Sequence, residues 1–328
     1  MEYLKHQNFK HLTQEQVDSF MTHGFLRIPK AFTPEAAEQW SKDVWIRLDV
    51  DPNDKSSYKQ ERTNMPSHRH ITVKDISPAA WNSICELCGG EDRITEGSKS
   101  WSDGFIVNLG TEQWEGKEDD PYTMDGWHVD GDFFVHFLDS PEQALLVIPC
   151  WTDVKHNGGA TWINENGPKV IGQHLFEHPE GVLPRMQPRG VECNNLDHFN
   201  ATSHSQPRDS FHEMTGEIGD VVLMHPLMLH SASHNGRRLP RVITNPPVGL
   251  NEPFNFDRAN PAEYSLVELK TMKEVGVEKL KGWKITAPRD RVIPDRLKVQ
   301  NPMVTAERER MQKAGIQIEV KEISQVPA

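Results

Sequence analysis

One short segment of the sequence places a histidine and an aspartate two residues apart, at His128 and Asp130. In an extended strand, residues i and i+2 point to the same side, so both side chains can converge on one metal ion. A second imidazole would complete a two-histidine, one-carboxylate facial triad, which leaves open positions for the reactants of Fe(II) oxygenases. Because the chain contains 16 histidines, a His-x-Asp pair alone is a weak indication.

A second segment, residues 219–244, contains two further groups with suitable chemistry. Its pattern predicts a strand, a turn and another strand, with His230 before the turn and Arg241 at the start of the second strand. His230 can supply the second imidazole. An arginine deep in a β barrel is unfavourable unless an anion pairs with it. A dicarboxylate co-substrate would be such an anion, held by the bidentate guanidinium fork.

The elements that must position these residues are predicted as short strands. Apolar runs alternate with turn signals through the middle of the chain, which indicates a β sandwich or jelly roll. These runs are 104–108, 133–137, 144–148, 160–163, 220–224 and 241–244. The stretch 164–215 is rich in Asn, His, Pro and Gly, and we expect it to carry a helix near 169–176 and to shape the substrate pocket.

Helices are predicted on both sides of this β region. Thr13 and Gln16 form a capping box that starts the first helix, Gly24 ends it, and residues 25–28 form a strand. The other predicted helices are 34–48, 78–87, 263–275 and 306–314, and residues 50–70 are predicted as a loop.

This order of elements predicts a single domain over residues 1–328. It would consist of helical N-terminal elements at 1–100, a β core at 101–250 and a C-terminal helical extension at 251–328. We expect the extension to pack on the barrel or on another subunit, as in a homodimer.

Several motifs follow one another in an order that resembles a known family. They are residues 12–17 with 24–29, His128-x-Asp130, Asn157-Gly-Gly159-Ala-Thr161, and His225-Pro-Leu-Met-Leu-His230 with Asn235 and Arg241. This order resembles the phytanoyl-CoA dioxygenase (PhyH)-like family of Fe(II)/2-oxoglutarate-dependent oxygenases. The resemblance covers about residues 12 to 250.

The resemblance implies a mainly β protein with flanking helices and a double-stranded β-helix core of the jelly-roll or cupin-like kind. It also implies a non-haem dioxygenase that hydroxylates or otherwise oxidises a small organic molecule and releases succinate and CO2. The cofactors would be Fe(II), 2-oxoglutarate as co-substrate and O2, with ascorbate as the reductant. Related halogenases have a small residue in place of the carboxylate, so Asp130 argues against halogenation.

The same resemblance assigns roles to individual residues. His128, Asp130 and His230 would be the iron ligands and the catalytic residues, and Arg241 would bind the distal carboxylate of 2-oxoglutarate. His225 would then be structural. From the residues themselves, Asn235 is expected to be a turn residue, and Arg237 and Arg238 are expected to lie in the same turn and face solvent.

Two further residues are candidates for binding 2-oxoglutarate, Asn108 and Thr244. The family often has a serine that contacts the co-substrate two residues after the distal histidine, where this chain has Ser231 followed by Ala232. Thr244 or Ser233 would replace that contact. Asn108, on the strand before the triad, is a candidate for the keto-acid end.

Composition and charge exclude several classes of partner. The net charge of −12 argues against nucleic acid, which needs a basic face. The N-terminus is polar and no apolar run reaches the length of a membrane span, so we expect a cytoplasmic protein without a membrane partner. The closest cysteines, Cys85 and Cys88, are predicted as helix-face thiols; Cys150 and Cys193 complete no metal site or disulfide framework.

Two other functions remain open from the residues themselves. One is a 2-oxoglutarate-independent metalloenzyme on a cupin-like barrel, which would not need Arg241. The other is a non-catalytic small-molecule-binding protein on the same barrel, which would not need an intact triad.

Overall fold

The computed structural model describes residues 2–191 and 195–316. The α-helices are α1 (Gln14–His23), α2 (Pro34–Ser41), α3 (Val44–Leu48), α4 (Val73–Ile76), α5 (Pro78–Cys88), α6 (Gly167–Glu177), α7 (Asp197–His204), α8 (Leu266–Val275) and α9 (Arg296–Lys313). The strands are β1 (Phe25–Ile28), β2 (Arg62–Asn64), β3 (His70–Thr72), β4 (Ser100–Ser102), β5 (Ile106–Asn108), β6 (Leu146–Pro149), β7 (Thr161–Asn164), β8 (Val182–Leu183), β9 (Gln187–Pro188), β10 (Phe211–Met214), β11 (Val221–Met224), β12 (Leu229–Ala232) and β13 (Arg241–Ile243).

Antiparallel sheets of three strands form the centre of the fold. Their orders are β1-β11-β6, β10-β7-β12 and β13-β5-β2, and smaller pairs are β3-β4 and β8-β9. This confirms the predicted region of short antiparallel strands with flanking helices. More of the described residues lie in helices than in strands, so the expectation of a mainly β protein holds for the central region only.

The N-terminal elements form as their sequence predicts. The Thr13 hydroxyl accepts a hydrogen bond from the Gln16 backbone, and the Gln16 side chain accepts one from the Thr13 backbone. Gly24 ends α1 with a φ of 77°, a left-handed conformation that glycine adopts without strain. The chain therefore turns at Gly24 and enters β1, which pairs with β11.

A compact apolar cluster lies between the sheets. Leu146, Ile148, Ile163, Met224 and Ile243 come from four strands and are all nearly inaccessible to solvent. Since successive side chains of a strand point to opposite faces, this cluster marks the inner face of the sheets.

The described part of the C-terminal extension, residues 251–316, contacts the earlier part of the chain. Arg47 on α3 and Glu307 on α9 are fully buried, and the Arg47 Nε lies 2.8 Å from Glu307 Oε2. The backbone of Val135 donates to Asp290, and that of Val292 donates to Phe133. Residues 290–292 thus pair with the segment that directly follows the His-x-Asp motif.

Some predicted elements differ from the structure. The helix expected at 34–48 is interrupted between α2 and α3, and the turn lets Arg47 point into the interior. Residues 133–137 form isolated bridges to the distant Arg291 and Val182 in place of a strand. The loop expected at 50–70 contains β2 and the start of β3, which pair with β5 and β4.

The cysteines carry no cross-link among the described residues. Cys85 is half-buried, Cys88 and Cys150 are buried, and all three are free thiols. Cys85 and Cys88 lie on α5 as predicted, while Cys193 lies outside the described residues. None of the helices in the described ranges combines the length and apolarity that a membrane crossing requires.

Candidate metal centre and anion pocket

The backbone brings the two predicted histidine ligands together. His230 lies on β12, which pairs with β7, and the His128 and His230 backbones exchange hydrogen bonds of 3.0 and 2.9 Å. His128 itself forms only this isolated bridge, so it does not lie on the regular strand expected from the sequence. The extended bridge is nevertheless enough to hold the His-x-Asp segment against β12.

The three side chains converge. Asp130 Oδ1 lies 3.6 Å from the Nε2 atoms of both His128 and His230. One ligand atom from each residue falls within 4.8 Å of the others. Two imidazoles and one carboxylate at this spacing match the donor set of a facial triad for a divalent metal ion.

Backbone carbonyls fix the tautomers of both histidines. His128 Nδ1 lies 2.7 Å from the Gly126 carbonyl oxygen, and His230 Nδ1 lies 3.0 Å from that of Met228. A carbonyl oxygen can only accept, so each Nδ1 carries a hydrogen and donates it. In the neutral form of each ring, the lone pair of Nε2 is then directed to the point where the three side chains meet, as a metal ligand requires.

The local electrostatics favour a cation at this point. Burial alone would raise the pKa of Asp130, but the facing His230 and His128 hold it well below its usual value. Burial likewise opposes the charge on His230, but Asp130 raises the pKa of this imidazole. The Asn245 side-chain amide donates to Asp130 Oδ2 at 3.3 Å, which leaves Oδ1 directed at the histidines.

Arg241 is buried and only partly satisfied. It is 1% exposed; its Nε donates to the Gly159 carbonyl at 2.7 Å and its Nη1 to the Ile106 carbonyl at 3.2 Å. Its Nη2 is buried without a hydrogen-bond partner. Burial, with Arg62 nearby, lowers the pKa of Arg241 to about 9, and no carboxylate of the described residues offsets this. The guanidinium therefore lacks an anion.

One cavity of about 1100 Å³ contains both features. Its lining includes the three triad residues, Arg241, and apolar side chains of the inner face such as Leu146 and Ile148. The chain around Val292 to Arg296, from the C-terminal extension, forms part of the wall. A small molecule in this cavity would meet the triad and the unpaired guanidinium together.

Thr244 and Asn108, the two further candidates for binding the co-substrate, differ in their access to the cavity. Thr244 lines the cavity, and its hydroxyl accepts a hydrogen bond from Trp151 Nε1 at 3.0 Å. Asn108 is fully buried; its amide nitrogen donates to the Ser233 carbonyl and its oxygen accepts from the Gly110 backbone. Asn108 is not among the residues that line the cavity, and both ends of its amide are bonded to neighbouring backbone.

Two residues near the site have structural contacts. His225 is fully buried, its Nδ1 accepts from the Leu227 backbone, and its Nε2 lies 2.9 Å from the Thr271 hydroxyl. It is absent from both clusters that could hold a metal ion among the described residues. Asn235, expected in a turn, is buried and donates to the backbone of Asn108.

The expectation that Arg238 faces solvent is wrong. It is only 6% exposed, and its guanidinium contacts the Glu115 carboxylate and the Lys55 carbonyl. Arg237, beside it in the chain, is exposed as expected.

Sequence reasoning did not single out Asn245, Arg62 or the wall at 292–296. Asn245 lies shortly after β13, the strand that begins with Arg241. Arg62 on β2 and Arg241 on β13 both pair with Asn108 on β5, from opposite sides of that strand. Only the pairing of distant strands brings them to the cavity, so no local spacing could have indicated them.

Comparisons with known proteins show only distant similarity. No family model matches the chain, and no curated protein matches it. Among solved structures, HygX from Streptomyces hygroscopicus with nickel, 2-oxoglutarate and hygromycin B bound aligns over 74% of this chain and 87% of its own, at 14% identity and a TM-score of 0.39. The hypothetical protein JW0805 from Escherichia coli aligns over 81% and 82%, at 13% identity and a TM-score of 0.46. TM-scores this low, at such low identity, establish neither a shared fold nor a shared activity.

Proposed function

We propose that this chain is a non-haem Fe(II)- and 2-oxoglutarate-dependent dioxygenase that hydroxylates or otherwise oxidises a small organic molecule, with release of succinate and CO2. The observation that supports this most strongly is Arg241. A guanidinium stays charged in proteins, and a buried charge is strongly unfavourable without a partner. Arg241 lines the same cavity as a two-histidine, one-carboxylate cluster, and its Nη2 has no hydrogen-bond partner, so an anion that can also bind a metal ion fits both features.

The donor set fits iron, and each residue has a defined role. His128, Asp130 and His230 would hold Fe(II) through two Nε2 atoms and Oδ1. Iron with bound 2-oxoglutarate and O2 supplies the oxidising chemistry. The carbonyls of Gly126 and Met228 keep the two rings in the ligating tautomer.

The surrounding residues orient the reactants. Arg241 would bind the distal carboxylate of 2-oxoglutarate, held in place by its bonds to the Gly159 and Ile106 carbonyls. Thr244, on the cavity wall, would contact the same co-substrate. Apolar side chains such as Leu146 and Ile148 line part of the same cavity, and they would lower the local polarity and strengthen the ion pair with Arg241.

We also propose a fold, a substrate class and a cellular compartment for this chain. The three central sheets would form the double-stranded β-helix of a PhyH-like oxygenase, and residues 1–328 would be one domain. The substrate would be a small molecule, neither nucleic acid nor membrane, in the cytoplasm, with ascorbate as the reductant. The C-terminal extension would also carry a homodimer contact.

The test is the visible charge-transfer band that a keto acid gives when it chelates Fe(II). Metal-free protein is loaded anaerobically with Fe(II) and 2-oxoglutarate, and the band is expected for the wild type. His128→Ala, Asp130→Ala and His230→Ala should each lose it, since two remaining ligands rarely hold a labile divalent ion.

The control is His225→Ala, which should keep the band if the variant folds by circular dichroism. Loss of the band in His225→Ala with retention in His230→Ala would overturn the ligand assignment. Turnover of substrate without 2-oxoglutarate would instead indicate a different metalloenzyme, and failure to bind iron would indicate a non-catalytic binding protein.

A further inference from the structure

A second group of metal-ligating side chains lies away from the catalytic cavity. His23 is the last residue of α1, Glu165 directly follows β7, and His212 lies on β10. We call these three residues the His23 cluster. Its members are widely separated in sequence, and the fold alone brings them together.

The geometry of the His23 cluster is that of a ligand set. Glu165 Oε2 lies 2.5 Å from His23 Nδ1 and 2.9 Å from His212 Nε2. One ligand atom from each residue falls within 4.8 Å of the others, as in the catalytic triad. The side chains are 42%, 24% and 31% exposed in the order His23, Glu165, His212, so an ion and a water molecule can reach them.

The surroundings make Glu165 an ionised ligand. Burial would raise the pKa of Glu165, but its hydrogen bonds to His23 and His212 lower it overall. Lys270 is a cation that interacts with Glu165, and its Nζ is already held by Glu274 at 2.6 Å and by the Thr22 carbonyl at 2.9 Å. Lys270 therefore has its own partners and leaves the Glu165 carboxylate to the imidazoles.

The His23 cluster is distinct from the catalytic centre. Ile163 on β7 pairs with His212 on one side and with His230 on the other. His212 and His230 are thus two strand spacings apart, roughly 10 Å between their backbones. A single ion cannot bridge them.

We propose that His23, Glu165 and His212 bind one divalent cation of the borderline type, with Zn2+ as the best match, and thereby fasten the end of α1 to the β10-β7-β12 sheet. Imidazole and carboxylate donors suit Zn2+, which binds readily with three protein ligands and a water. The ion would take the place of the two hydrogens that the imidazoles now share with Glu165. Each neutral ring would then carry its one hydrogen on the nitrogen that faces away from the ion, so protons compete with the metal ion for the two ligating nitrogens.

The test counts Zn2+ ions per chain by calorimetric titration of metal-free protein. The double variant His128→Ala/His230→Ala removes the catalytic triad and serves as the background. This background is expected to bind one Zn2+ per chain. Adding His212→Ala or Glu165→Gln should reduce that number to zero. The control, His156→Ala, removes an exposed histidine that is paired with Glu213 outside the cluster, and it should leave the number at one.

Co2+ gives an independent readout in the same background. A bound Co2+ should show intense visible absorption typical of four-coordinate sites, and Glu165→Gln should abolish it. Glu165→Gln keeps the size and hydrogen-bonding capacity of the side chain, so circular dichroism is expected to be unchanged. Absence of Zn2+ binding in the background, or binding that survives both His212→Ala and Glu165→Gln, would overturn the proposal. Neither outcome bears on the catalytic triad, which the background already lacks.

Discussion

Replacement of Arg241 should weaken 2-oxoglutarate binding selectively. The guanidinium is held by two backbone carbonyls, so it is oriented before the co-substrate arrives, and only its Nη2 is left without a partner. Removing one side of a buried, hydrogen-bonded ion pair typically costs about 3–5 kcal/mol. At ~1.4 kcal/mol per tenfold, Arg241→Ala should raise the apparent Kd for 2-oxoglutarate by roughly 10²- to 10³-fold or more.

Arg241→Lys should fall between the wild type and Arg241→Ala. An ammonium restores the charge but has no Nε, so it cannot donate to the Gly159 carbonyl while it presents a planar fork to a carboxylate. Fe(II) binding without 2-oxoglutarate should stay close to wild type in both variants, because the described contacts of Arg241 do not include the triad.

The measurement is succinate formation against 2-oxoglutarate concentration. Arg237→Ala is the matched control, since Arg237 is exposed and close in sequence. Arg238→Ala is not suitable as a control, because Arg238 is buried against Glu115. An unchanged half-saturation in Arg241→Ala, or an equal rise in Arg237→Ala, would refute the assignment of Arg241 to the co-substrate.

Two further predictions concern stability. Burial, with Lys270 nearby, lowers the pKa of His225 to about 3 from 6.5. Below pH 6.5 the imidazole of His225 therefore binds a proton in the unfolded chain but not in the folded chain. As the pH falls from 6.5 towards 3, this difference should lower the free energy of unfolding by up to ~1.4 kcal/mol per pH unit. Denaturant unfolding between pH 7 and pH 5 should show a shallower loss in His225→Asn; equal slopes would contradict this. Truncation after Leu250 should give insoluble or inactive protein, because it removes the cavity wall at 292–296 and Glu307, the buried partner of Arg47. A chain ending at residue 316 is the control, and a soluble, active truncation after Leu250 would show that the extension is dispensable.

Local signals in the sequence predicted the elements that depend on neighbouring residues. The capping box at Thr13, the stop at Gly24 and the short strands near His230 and Arg241 are all in place. The sequence also named the three residues that converge at the cavity, because the order of its motifs resembles the PhyH-like oxygenases, and that resemblance assigns them. Their role as iron ligands stays a prediction.

Contacts between distant residues account for what the sequence did not show. Arg238 looked like a turn residue, but Glu115 and the Lys55 carbonyl bury it. Residues 133–137 have the composition of a strand, yet their partners lie near 182 and 290 and form only bridges. The His23 cluster has no local pattern at all, since each ligand comes from a different element.

The buried pair of Arg47 and Glu307 also bears on how the chain is made. These residues are 260 positions apart. At a synthesis rate of about 5–20 residues per second, Glu307 leaves the ribosome roughly 13–50 seconds after Arg47. For most of that interval Arg47 on α3 has one of its two buried carboxylate partners, Asp103, but lacks the other, Glu307. The part of the cavity wall at 292–296 is missing as well. The nascent chain therefore completes this buried ion pair and the cavity wall only when synthesis is nearly finished, and a chain that stops before α9 lacks Glu307.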